Sequence, residues 1–304
     1  MTTDIVTPSL PGEEVVAPSG RPARVPGTGS GMVWRTVRYG LLIAFVIIML
    51  MPLYVLVVTS FKNGSDIGVN GQWNLPTSWT LKSWDKAWER LHDSFLRTFE
   101  LAIPVALISS FVGAANGFVL SRWRFPGADV VFTLILFGMF IPYQAIMIPL
   151  GDVLNETSIQ KGIPRLILVH VIYGLPICTL IFRNYYATTV PVEMIEAANV
   201  DGAGRWRTFV SITLPHLSRF LQLATLLGAI YIVNSFDAIF LMTQGGPGTA
   251  STNLPYYIYQ RAFEGFDVGQ SSAMGVIVVI LTMIVATFAL RLMFRTFSVS
   301  GGIK

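Results

Sequence analysis

Six apolar runs constrain this chain more than any other feature. They fall at about 40–60, 99–120, 130–150, 166–182, 220–240 and 273–294. A helix of about 20 residues rises about 30 Å, the thickness of a bilayer's hydrocarbon core. Lipid offers the backbone no hydrogen bonds, so a helix that satisfies its own amides is the economical way across. The runs are too long and too continuous for the alternating strands of a membrane barrel. Composition agrees: 53% of the residues are hydrophobic and 12% charged, whereas a soluble domain carries about 25% charge. The expected fold class is therefore an all-α integral membrane protein with six transmembrane helices. The fourth run, 166–182, is the shortest and carries His170 and Pro176.

Six spans put both termini on one side. Of the 21 Lys and Arg residues, thirteen fall on inner segments when the termini are cytoplasmic, with 121–129 and 291–304 the clearest. The positive-inside rule then predicts a multi-pass protein of the cytoplasmic (inner or plasma) membrane with both termini inside. Residues 1–34 are rich in Pro, Gly, Ser and Val. They read as a disordered cytoplasmic tail before a membrane domain over 35–304. No apolar run follows a basic start, so this is not a secretory signal. The outer loop, 62–98, holds Trp73, Trp79, Trp84 and Trp88. Trp84, Trp88 and Leu91 share one helical face, which predicts a short amphipathic helix at the outer interface. A platform for stacking a sugar is the alternative use of those rings.

Several chemistries are excluded. A net charge of +4 without a basic stripe excludes a nucleic-acid partner. The single Cys178 allows no internal disulfide and no cysteine cage for a metal. His92, His170 and His216 lack ligand spacing. There is no phosphate-binding G-x-x-x-x-G-K-[ST] loop and no G-x-S-x-G elbow. "GTGSG" and "GGPG" read as turn or linker signals. The expectation is a non-catalytic chain with no metal and no cofactor of its own.

The inner loop over 184–219 has internal order. Thr188 or Thr189 can cap a helix whose first turn takes Pro191, and Glu193 and Glu196 lie near its positive end. Ala197 and Ala198 offer a small-residue side for a close approach. Gly202 can take the positive φ that ends this helix. A second helix follows with Trp206 and Phe209 on one side. Arg205 and Arg207 suit lipid headgroups or acidic partner groups. Leu214-Pro215 is expected to break the path before the fifth span.

Polar groups inside spans are costly and mark paths or helix contacts. Asn116, Gln144, His170, Asn234 and Asp237 are the candidates. Tyr231, Asn234, Phe236 and Asp237 form the candidate substrate path, with helix-to-helix hydrogen bonding as the alternative. Gly113, Ala114 and Gly117 read as a close-packing face, and Pro142 and Pro149 as possible kinks.

The inner loop carries a specific resemblance. Glu196-Ala197-Ala198, Gly202, Ile212, Leu214 and Pro215 stand at the spacing E-A-A, three residues, G, nine residues, I-x-L-P, with the extension Asp201-Gly202-Ala203. This resembles the signature of permeases in ABC importers. "SFK" at 60–62, "SRWRFPG" at 121–127 and "GGPGTAST" at 245–252 resemble the carbohydrate-uptake class, the family of the maltose permease pair. The short architecture and "SRWRFPG" favour the smaller member of such a pair, whereas "TQGGPGTAST" is more usual in the larger.

The resemblance implies a type I ABC importer permease fold, with the loop seated on a nucleotide-binding subunit. Glu196 would pair with a basic residue there, and Gly202 would permit the turn. It also implies a second permease, two copies of an ATPase that binds the ATP and Mg, and an extracytoplasmic solute-binding protein. The expected cargo is a sugar or polyol. An importer of another solute, such as glycerol phosphate esters, and a secondary transporter without an ATPase are the alternatives.

Overall fold

The computed structural model describes residues 28–123, 125–189 and 191–300; the side chains of 28–30, Val192, Arg219, Ala289, 187–190 and 292–300 lie outside that description. Residues 1–27 also lie outside it, and with them most of the expected tail. All regular structure among the described residues is helical: α1 (Thr28–Ser60), α2 (Gly64–Asn70), α3 (Lys82–Arg122), α4 (Ala128–Phe137), α5 (Tyr143–Asn155), α6 (Ile163–Thr189), α7 (Val192–Val200), α8 (Arg205–Thr208), α9 (Leu214–Val233), α10 (Leu254–Tyr259) and α11 (Val268–Ser300). Single π turns occur at Phe209–Thr213, Ile239–Thr243 and Gln260–Glu264.

The chain divides into two compact units, 1–52 and 53–304. In the first, α1 exposes Leu41, Phe45, Ile48 and Leu50. A helix that is apolar all round suits lipid.

In the second unit α3 is central, and α6, α9 and α11 pack against it. The α3–α6 crossing explains the glycines. A Cβ added at Gly113 would lie 2.3 Å from Cys178 Cβ, and one at Gly117 would lie 2.8 Å from Arg183 N. Small residues let two backbones approach this closely, and in lipid such packing is a main source of helix adhesion. Tyr186, fully buried, donates from its hydroxyl to Ala114 O at 2.9 Å and fastens the far end of α6 to α3.

By length and composition, four helices can cross a membrane, and six spans result if each of two bent pairs is one span. The apolar runs therefore correspond to spans, but not to straight ones. The run at 130–150 bends by 100° between 128–140 and 143–155. Pro142, the N-cap of α5, sits in extended backbone (φ −61°, ψ 109°) at that corner. Pro149 lies inside α5 without ending it. The run at 220–240 stops at Val233, with Asn234 as its cap.

The outer loop also differs from expectation. The helix expected around Trp84–Leu91 is not a separate one: α3 runs unbroken from Lys82 through the second span to Arg122. Trp84, Trp88 and Leu91 do not share an environment. Leu91 is buried, Trp84 stacks on Phe61 at 5.3 Å, and Trp88 is 67% exposed. The inward stripe is set by Ala87 and Leu91 against Leu254, Ala273 and Met274. Trp88 is one residue past Ala87, about 100° further round the helix.

Beside α2 the loop is closed by two buried polar groups. Lys62 Nζ donates to Gly71 O at 2.8 Å and Gln72 O at 3.3 Å. Asp66 accepts from Asn70 Nδ2 at 2.6 Å and from Thr77 N and Oγ1, each at 3.0 Å. Asn70's hydrogen bond holds the Asp66 carboxyl below its ordinary value. Burial opposes this, while Thr77 and the Lys62 charge add to it.

Candidate functional site

The two interrupted spans meet at one carboxylate. Asp237 lies just past the break at the end of α9. Its Oδ2 accepts from the Tyr143 hydroxyl and from Gln144 Nε2, both at 3.0 Å. Tyr143 and Gln144 form the first turn of α5, whose peptide dipole presents its positive end there. One interrupted helix therefore caps the other.

The break at 234–236 frees backbone groups that must be satisfied. Asn234 Nδ2 donates to Ile230 O at 2.8 Å, and Asn253 Nδ2 donates to Ser235 O at 2.5 Å. Asn253 Oδ1 accepts from Tyr256 N at 3.1 Å, so the same side chain caps α10. His170 connects the break to α6. Its Nδ1 lies 2.8 Å from Leu166 O and its Nε2 lies 2.8 Å from Ser235 Oγ. A carbonyl only accepts, so Nδ1 carries the proton and the Ser235 hydroxyl donates to Nε2.

A cavity of about 470 Å³ opens at this junction. Tyr231, Asn234, Phe236 and Asp237, the expected path residues, all line it, and so does His170. Gln144 reaches the site through Asp237, whereas Asn116 is not among the lining residues. Non-helical backbone at membrane depth is tolerated where it is buried in protein or faces a wet cavity, and this break fits that description. Tyr231 is exposed, and Phe236 sits in a cluster with Phe240 and Tyr259, ring centroids 5.3 and 5.2 Å away. Sequence reasoning missed Tyr143, Tyr173 and Asn253. The Tyr173 hydroxyl is buried without a protein partner. Asn253 carried a usable signal, since Asn ahead of Leu-Pro reads as a helix cap. A second cavity, of about 340 Å³ among α3, α9 and α11, is lined almost wholly by carbon and offers a polar solute little.

The second feature is the elbow of α7 and α8. Gly202 has φ +76°. Ala203 N donates to Ala198 O at 2.9 Å and Gly202 N to Asn199 O at 3.1 Å, the paired bonds of a Schellman stop. Glu196, Ala197 and Asp201 are exposed, as are Met194, Val200 and Trp206; Ala203 and Ile212 are half-buried. Ala198 is buried within the chain, so of the two alanines only Ala197 is open to a close approach. Pro191 is the N-cap of α7, one position ahead of its expected place, while Thr188 and Thr189 lie outside the described side chains.

Leu214-Pro215 leaves no gap in the helix, but the path does turn before the fifth span. Helical structure continues from α8 through the π turn at Phe209–Thr213 into α9, and it bends by 65° between 205–218 and 220–233, just past Pro215 rather than at it. The Trp206 and Phe209 rings meet tilted, centroids 5.6 Å apart, but part in burial: Trp206 is open and Phe209 is packed with Phe118, Phe182, Tyr186 and Leu217. Ile195 and Leu214 pack on the same cluster. The elbow is thus rooted in the core that joins α3, α6 and α9. Arg205 lies over the Trp123 ring at 4.9 Å. Among the described residues no group of three or more His, Cys, Asp or Glu is placed to hold a metal.

The family model described as "Binding-protein-dependent transport system inner membrane component" matches residues 107–298. The chain is 29% identical over 181 residues to the diacetylchitobiose uptake system permease protein NgcG of Streptomyces coelicolor; the match covers 59% of each chain. It is 25% identical over 256 residues to the melibiose/raffinose/stachyose import permease protein MelC of Bacillus subtilis, covering 83% of this chain and 91% of that one. Among solved structures, a bacterial ABC transporter involved in import of the acidic polysaccharide alginate superposes with a TM-score of 0.66 at 19% identity, over 88% of this chain and 99% of that one.

Proposed function

Because this chain belongs to the family of binding-protein-dependent transport system inner membrane components, we propose that it is the permease through which a sugar or polyol crosses the membrane. As an ABC importer permease it is a multi-pass, non-catalytic membrane subunit. The finer reading, the cargo, is supported by the cavity where the two interrupted spans meet. Hydroxyl, amide and carboxylate groups converge there beside aromatic rings, the mixture that holds a hydroxylated ring. The sugar-named relatives support the same cargo.

The elbow gives the cavity its drive. Glu196, Ala197 and Asp201 with Met194, Val200 and Trp206 form an exposed, mixed face on a rigid helix–turn. In this reading a partner ATPase, holding ATP and Mg, receives that face, and Glu196 meets a basic group there. Movement of the seat is passed through Ile195, Phe209 and Leu214 into the Phe118–Tyr186 cluster and so to α3, α6 and α9. Of these, α6 and α9 carry walls of the cavity, so tilting them opens it to one side or the other. The complete importer has a second permease, two ATPase subunits and an extracytoplasmic solute-binding protein. The elbow is cytoplasmic, as are both termini.

Glu196→Lys tests the drive. In the assembled transporter it should abolish ATP-dependent sugar uptake while the chain still inserts and assembles. Uptake that survives this change, or uptake that follows an ion gradient without ATP, would sink the reading. A labelled panel of neutral sugars and polyols in cells carrying the full transporter tests the cargo.

A further inference from the structure

We propose that Asp237 makes the cavity select against anions, so that the solute is an uncharged, hydroxyl-rich molecule. This rests on the reading of the cavity as the solute path and adds a charge preference to it.

The inventory of the walls carries the inference. Among the described residues lining the cavity, Asp237 is the one charged side chain, and neither Lys nor Arg is present. Arg165, on the neighbouring stretch of α6, is committed to the other end of α5. It donates to Asn155 Oδ1 at 2.7 Å and to Leu154 O at 2.8 Å. The positive end of α5 is already occupied by Asp237 itself, through Tyr143 and Gln144. His170 has both ring nitrogens engaged within the protein. No cationic group on these walls is therefore left for a carboxylate, sulfonate or phosphate, whose tight recognition calls for charged or multiple donors.

The remaining hydrogen-bonding capacity is mostly of the accepting kind. The Tyr143 proton is given to Asp237 and the Ser235 proton to His170, which leaves oxygen lone pairs on both. Both donors to Asp237 end on Oδ2, so Oδ1 keeps its accepting sites. The Tyr231 hydroxyl and the second amide hydrogen of Asn234 supply the donors. A sugar hydroxyl both donates and accepts and can serve all of these groups. An anion brings lone pairs to a wall already rich in them and meets a carboxylate.

The charge preference can be read without knowing the cargo. In the assembled transporter in proteoliposomes, with the native thiol removed by Cys178→Ser, Tyr231→Cys places a thiol at an exposed wall position. Its reaction rates are measured with cationic trimethylammonium-ethyl and anionic sulfonatoethyl methanethiosulfonates, each relative to a free thiol. One carboxylate at about 6 Å across water should favour the cationic reagent by about tenfold. Asp237→Asn should bring the ratio back to that of the free thiol, and Asp237→Glu should retain the bias. A ratio equal to the free thiol's, an anionic preference, or a bias unchanged by Asp237→Asn overturns the charge preference while leaving the cavity open as a path. A thiol that reacts with neither reagent overturns both the preference and the reading of the cavity as the solute path.

Discussion

At the scale of single residues, two positions separate structure from function. Gly202 has open space around its Cβ position, so what it requires is its backbone geometry, φ +76°. A branched side chain in that region costs about 1–2 kcal/mol. Gly202→Val should leave the membrane helices formed but loosen the α7 stop, seen as faster amide exchange over 196–204 and as less uptake per ATP consumed. Tyr173 makes the opposite case. Its buried hydroxyl has no protein partner, so Tyr173→Phe should change melting temperature little. If the hydroxyl meets solute, the same change should raise KM for uptake about tenfold, the order of one lost hydrogen bond.

At the scale of elements, the α3–α6 crossing and the outer clasp are both exposed to test. Gly113→Ala places a methyl 2.3 Å from Cys178 Cβ, and such overpacking costs about 1–3 kcal/mol. Cys178→Gly should restore part of the loss, which a thermal-stability cycle in detergent measures. The clasp gives a pH dependence. Asp66 has a lowered pKa in the fold, so its contribution is complete above the unfolded value, about 3.9, and is lost as pH falls through the lower folded value. The loop over 63–80 should therefore become protease-sensitive at pH 3 but not at pH 6, and Asp66→Asn should be sensitive at both.

The elements also show what was legible beforehand. Apolar length located the lipid-crossing material, because burial in lipid is a bulk property of a stretch. It did not reveal the break at 234–236, because Ile232, Val233 and Phe236 keep the stretch apolar while the backbone departs from helix; at 141–142 the signal was Pro142, expected as a kink. The polar residues Asn234 and Asp237 pointed to the place. Their partners Tyr143 and Asn253 come from segments far away in the chain, and no local pattern announces such a meeting. The elbow was legible for the opposite reason: a glycine stop and its flanking helices are local chemistry. Phe209 was expected on one side with Trp206. It is instead buried beside Phe118, a contact that only tertiary packing decides.

At the scale of the whole molecule, the Phe118–Tyr186 cluster is the joint that fixes the elbow to α3, α6 and α9. Phe209→Ala should cost about 3–5 kcal/mol, as deletion of a buried ring does. If the cluster transmits movement, a transporter stabilised enough to tolerate the change should hydrolyse ATP yet accumulate less sugar. Parallel loss of both activities would show the cluster to be structural only. The π turn at Phe209–Thr213 next to this joint has a consequence of another kind. Such a turn accommodates one residue beyond the ordinary helical count while the flanking faces stay aligned. Removing Val210 should let the turn relax into plain helix with Trp206 and Leu217 still facing as before. Removing Thr225 from mid-α9 should swing everything beyond it by about 100°. The π turns are thus the places where a lineage of such chains can gain or lose one codon and keep its register.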